Sequence, residues 1–181
     1  MKNIKRFWGK KQLSKTINQK RKAISCNYYE MGKIGIIYDA TKEENVKAIK
    51  NIVSQIKAEN KEVTSFGFVN SKEFESYHTQ PQDFHFFKLT DLNWYQMPIS
   101  DEILEFCNTE FGVLIDLTTD FCLPLRFVLN KSKALLKLGM YSEENVDYYD
   151  ISIDISSDPQ INFLFEQSMH YLKMINKRTA L

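Results

Sequence analysis

Phe111-Gly-Val-Leu-Ile-Asp-Leu-Thr-Thr-Asp120 is a short apolar run that ends in a cluster of hydrogen-bond acceptors. Its length and its branched aliphatic side chains suit a strand buried on both faces, and Asp and Thr suit the end of such a strand. The chain on either side supports this reading. Upstream, Lys33–Asp39 is a second apolar run, and Val46, Ile49, Ile52, Val53 and Ile56 then form a stripe at helical spacing. Thr41 and Glu44 stand as a capping box for a helix over 42–59, and Glu62–Val69 alternates as a strand, so these elements make one β-α-β unit.

Phe84–Leu89 reads as a third strand, Thr90–Pro98 as a loop with two aromatics, and Ser100 as the cap of a short helix carrying Ile103, Leu104 and Phe106. Beyond the central run, Pro124 opens a short helix within Leu125–Asn130. Ala134–Leu138 is a strand ended by Gly139, and Tyr149–Ile155 is another. Ser157 or Asp158 caps a last helix with Pro159 in its first turn and a buried face of Ile161, Leu164, Phe165, Met169, Leu172 and Ile175. Strands alternating with helices predict an α/β fold, an open, mainly parallel Rossmann-like sheet with helices on both faces. The predicted organisation is a basic helical arm over 1–30 and a single α/β domain over 31–181.

The formal net charge of +1 hides an asymmetry. Lys2, Lys5, Arg6, Lys10, Lys11, Lys15, Lys20, Arg21 and Lys22 face Glu30 alone in residues 1–32, a local +8 that leaves the rest of the chain at −7. A basic arm on an acidic body fits polyanions or membrane surfaces. Within the arm, Leu13, Ile17 and Ile24 predict a helix over 11–23, with Ile4, Phe7 and Trp8 in a looser tip beyond Gly9. Cys26, Cys107 and Cys122 are widely spaced and form no CxxC pair, which argues against a disulfide framework or a zinc site. No signal-length apolar run follows the N-terminus and no stretch reaches the ~20 residues of a bilayer span, so the expected location is cytoplasmic.

In open α/β sheets ligands bind beyond the carboxyl ends of the strands, where strand order reverses. Asp39, Asp116, Thr118, Thr119 and Asp120 fall there, and such groups hold sugar hydroxyls, ribose or a metal, or simply cap local turns. The turn Asp39-Ala-Thr-Lys-Glu-Glu44 has no glycine and carries two acids after its aspartate. Neither GxGxxG nor GxxxxGK[ST] occurs anywhere, which argues against dinucleotide and P-loop nucleotide binding. HExxH and GxSxG are also missing, and His78, His85 and His170 stand far apart. These gaps point away from an enzyme and imply neither a cofactor nor a metal. Cys107 or Cys122 with a distant histidine stays open as a nucleophile pair, and Trp94-Tyr95 as a stacking or docking loop.

Two resemblances enter on these residues. Phe111-Gly-Val-Leu-Ile-Asp-Leu117 followed by Ser132-Lys-Ala-Leu-Leu-Lys-Leu-Gly139 resembles part of the N-terminal half of lipopolysaccharide heptosyltransferases, which have a GT-B fold. That likeness implies a Rossmann-like half-domain without the second domain that holds a nucleotide-sugar donor. The order of Gly35–Asp39, Leu92–Pro98, the central run, Ser132–Ala134 with Gly139, and Tyr149–Ile153 is similar to an uncharacterised family of short bacterial α/β proteins, which carries no site assignment.

The leading expectation is a non-enzymatic accessory protein whose nine arm cations contact RNA or a ribosomal particle, with Phe7 and Trp8 available for stacking. An acidic protein surface is a close variant. An anionic membrane surface and a sugar or nucleotide site at the strand ends are the alternatives.

Overall fold

Apolar runs separated by amphipathic stretches fold here into a layered sheet. The computed structural model describes residues 2–17, 23–25, 27–78, 82–175 and 179–180. Lys20, Arg21, Lys22 and Cys26 lie outside the described residues. In chain order the main elements are α1 (Lys2–Ile17), β1 (Ile24–Ser25), β2 (Ile34–Asp39), α2 (Glu43–Ala58), β3 (Val63–Val69), β4 (Phe84–Lys88) and α3 (Asp101–Asn108). They continue with β5 (Val113–Asp116), α4 (Leu123–Lys131), β6 (Leu136–Met140), β7 (Ile151–Ile153), α5 (Ile161–Met174) and β8 (Thr179–Ala180).

Six strands form one sheet in the order β4-β3-β2-β5-β6-β7, and every pairing in it is parallel. β2 is central, with Ile34 opposite Val63 on one side and Val113 on the other. The chain runs outward from β2 to β4, then returns to the far side of β2 as β5. Strand order therefore reverses between β2 and β5, the arrangement that opens a crevice in doubly wound folds. β1 and β8 form a separate antiparallel pair.

Alternation along β2 sorts the layers. Ile34, Ile36 and Tyr38 join the buried stripes of α2 and α5, while Ile37 joins Phe66, Phe87, Leu114 and the inner faces of α3 and α4 on the other side. Most of these side chains are fully buried, and each contributes about 1.5–3 kcal/mol relative to exposure. Tyr28, just before β2, also lies fully buried in the α2/α5 layer.

Several boundaries differ from those expected. α1 starts at Lys2 and runs through Gly9 without a break. A Cβ at Gly9 would lie 2.5 Å from the Tyr95 carbonyl oxygen and 2.7 Å from Leu123 Cδ2, so the glycine lets α1 lie against α4 instead of ending a helix. Leu13 completes that contact, buried with Leu123 and Phe127. Gly139 sits inside β6, where Tyr149 packs across it and a Cβ would meet the ring at 2.4 Å. The residue before α2 is Lys42, and Thr41 Oγ1 accepts a hydrogen bond from the Asn70 N–H instead of capping the helix. Pro159 precedes the first residue of α5 by two positions, and Gln160 is its N-cap. Pro124 does stand in the first turn of α4, which spans nine residues.

Candidate functional site

The reversal between β2 and β5 opens a cavity of about 790 Å³, within the usual range for small-molecule sites. Its floor is the carboxyl ends of β2, β3 and β5, and the first turns of α2, α4 and α5 stand around it. Asp39, Thr118, Thr119 and Asp120 all line it, whereas Asp116 does not.

Asp116 is occupied elsewhere. It is fully buried, and its Oδ1 accepts from the Thr118 N–H at 2.9 Å and the Thr118 hydroxyl at 2.6 Å. Its Oδ2 accepts from Arg126 Nη1 and from the Tyr149 hydroxyl, the latter at 3.0 Å. Arg126, also without exposure, uses its remaining nitrogens on Asn145 Oδ1 and Thr118 Oγ1, both at 3.2 Å. Burial is the strongest single influence and works to lower the Arg126 pKa, but the charge of Asp116, joined by Tyr149, Cys122 and the hydrogen bond to Asp116, holds the guanidinium above its ordinary value. Burial, followed by the Asp116 charge, pushes the Tyr149 phenol well up. This network pins the loop leaving β5, so Thr119 and Asp120 are presented from a fixed backbone. Sequence reasoning missed Arg126, although one arginine within Leu123–Leu129, otherwise apolar, is the signal of a buried ion pair.

At the other strand end, Asp39 Oδ1 accepts from the Thr41 N–H at 2.8 Å, and the Asp39 carbonyl accepts from Asn45 Nδ2 at 3.0 Å. Asn45, Asn70, Gln96, Gln160 and Asn162 add amide groups to the wall, and Arg6 reaches it from α1. None of these entered the sequence reading as a crevice residue, because they come from five separate segments.

Cys107 and His78 are buried and hydrogen-bonded within the fold. Burial pushes the Cys107 thiol up to about 11 and the Cys122 thiol up to about 12, so neither is a thiolate near neutral pH. Cys107 donates to the Val128 carbonyl. His78 is buried, its Nδ1 accepting from the Glu75 N–H and its Nε2 facing the Ala40 carbonyl, both at 2.9 Å. His85 pairs with Glu102 at 2.7 Å, and His170 is exposed. Among the described residues no group of three or more His, Cys, Asp or Glu side chains is placed to hold a metal ion. No helix among them is long and apolar enough to cross a membrane.

The arm makes a second surface beside the crevice. Because α1 begins at Lys2, Ile4, Phe7 and Trp8 fall at i, i+3 and i+4 and share one outward stripe, with Ile4 61%, Phe7 64% and Trp8 40% exposed. The Trp94 ring, 57% exposed, meets Trp8 at 6.3 Å between centroids. Asn93 builds the loop that presents it, its side chain accepting from the Tyr95 and Met97 N–H groups while Gln96 turns the backbone at φ 70°. Lys5, Arg6, Lys11 and Lys15 are exposed on α1, and Lys11 lies 5.2 Å from the Trp8 ring. Lys10 is partly engaged with the body, 3.4 Å from Glu144 and 4.6 Å from the centre of the Phe121 ring. Of the remaining predicted arm cations, Lys2 opens α1.

No curated protein and no solved structure matches this chain. One family profile does, over residues 5–175, and that span takes in most of α1, the crevice and all six strands of the main sheet. The chain belongs to DUF6913, a family of unknown function.

Proposed function

We propose that the protein is a non-enzymatic accessory factor that binds RNA, free or in a ribosomal particle, through α1 and the Trp94 loop. The observation that carries this reading is the joining of exposed rings and exposed cations on one surface. Phe7, Trp8 and Trp94 lie together with Lys11 beside them, Lys5 and Lys15 are exposed on the same helix, Arg6 is exposed toward the Phe121 ring, and α1 carries no acid. Rings stack on unpaired bases and cations neutralise phosphates, so the two sets suit single-stranded segments of a structured RNA. The acidic remainder of the chain repels the backbone and restricts contact to this side.

The test is binding of a fluorescent RNA stem-loop to the full chain across a salt series. Contacts from the four exposed cations give a log–log slope of roughly −3 to −4. Lys5→Glu with Lys11→Glu and Lys15→Glu weakens binding and removes about three from that slope. A flat salt response, or a triple variant that binds as tightly as wild type, rejects the reading.

Ile4 favours a second reading, because an aliphatic side chain at the end of the exposed stripe gives nothing to stacking but inserts into lipid. On an anionic membrane surface Ile4, Phe7 and Trp8 enter the headgroup boundary while the lysines meet the headgroups. Flotation with anionic vesicles, absent with neutral ones and lost in Ile4→Ser with Phe7→Ser, distinguishes it from RNA binding.

A further inference from the structure

We infer that the crevice between β2 and β5 binds a neutral, hydroxyl-rich small molecule, a sugar or a nucleoside without phosphate. Size and position come first: about 790 Å³ of space lies where the strand order reverses. The wall then decides the chemistry. Asp39 and Asp120 present acceptors, and the amides of Asn45, Asn70, Gln160 and Asn162 present donors and acceptors side by side. A polyol offers both roles on every hydroxyl and matches such a wall. Phe121, half-buried in the same wall with Lys10, Arg6 and Arg126 over its ring, adds apolar area beside these polar groups.

Three helix N-termini at the crevice favour an anion, but the side-chain charges of the wall and the turn after β2 weigh against phosphate. The wall holds three carboxylates, Asp39, Glu44 and Asp120, against two cations, Arg6 and Lys42. Lys42 stands 3.7 Å from Glu44, and the Arg6 guanidinium lies 5.7 Å from the centre of the Phe121 ring. The turn after β2 contains no glycine, and its Thr41 N–H already donates to Asp39, so the backbone cannot close around an anion there. Preorganisation comes from beneath: Arg126 and Asp116 fix Thr118, and with it the loop that carries Asp120.

The experiment is saturation-transfer-difference NMR on the full chain with glucose, mannose, adenosine and uridine, each compared with its own monophosphate ester. The expected result is saturation transfer to at least one neutral compound, with the sugar and nucleoside arms deciding the source. Its monophosphate binds roughly tenfold more weakly. Asp120→Ala and Asn162→Ala, both at exposed positions and so compatible with an unchanged melting curve, each weaken that compound roughly fivefold. Silence from all four neutral compounds overturns the inference. So does tighter binding of a monophosphate, or binding that neither variant changes.

Discussion

Arg126 donates to Asp116 where neither side chain has any exposed surface, and through this one ion pair α4 is tied to the end of β5. The pair is surrounded by Thr118, Asn145 and Tyr149, so it sits in a polar knot inside an otherwise apolar layer. Its consequence for function is indirect. The buried carboxylate at the end of β5 holds the crevice loop in place, whereas Asp39 and Asp120 line the crevice.

Removing one partner strands the other charge in a dry site. Arg126→Met or Asp116→Leu should each lower stability by about 3–5 kcal/mol, read from urea denaturation. Combining Arg126→Met with Asp116→Leu should cost less than the two single losses added together, because no lone charge remains. A single-variant loss below about 1 kcal/mol would show that water reaches the pair.

Stability should fall in alkali. The unfolded chain releases the Cys107 proton near the ordinary value of 9.0, whereas the folded thiol holds it to about 11. Between those values the unfolded state binds fewer protons, so unfolding is favoured as pH rises. Cys122, raised to about 12, and Tyr149 act in the same direction. The urea midpoint should therefore be steady between about pH 6 and 8 and decline above about 9, with a shallower decline in Cys107→Ala. An unchanged slope in that variant would remove the thiol from the account.

Gly9→Ala should separate helix propensity from docking. Alanine favours the isolated helix by about 1 kcal/mol, but its methyl would collide with the Tyr95 carbonyl and Leu123. Hydrogen exchange should show faster exchange in α1, with β2 and β5 protected as before. Slower exchange in α1 would mean that the helix shifts to accommodate the methyl at little cost.

Trp8→Ala and Trp94→Ala should each weaken RNA binding by about 1–3 kcal/mol while leaving the salt slope unchanged, since the cations stay in place. Charge reversal at Lys5, Lys11 and Lys15 should do the opposite, changing the slope most. A tryptophan variant that alters only the slope would show that the rings position the lysines instead of stacking on bases.

Much of the fold was legible in the residues themselves. Lys33–Asp39, Glu62–Val69, Phe84–Leu89 and the central run are continuous or alternating apolar segments, and each became a strand of one parallel sheet. The stripe from Val46 to Ile56 became the buried face of α2. Two glycines were among the places where the reading failed. Gly9 looked like a break and is a close helix contact; Gly139 looked like an end and is the seat of Tyr149. In both cases the reason for glycine is a side chain or carbonyl far away in sequence.

The sequence by itself determined the class of fold, because hydrophobic periodicity is local and a strand buried on both faces must be apolar along its length. It also determined the charge division between residues 1–32 and the rest. Only the tertiary structure decided what the acidic cluster does. Asp116 and Asp120 are four residues apart and chemically identical, yet one is sealed against Arg126 and the other stands exposed in the crevice wall. Solvation and partners make that difference, and both are set by elements that meet only when the sheet closes.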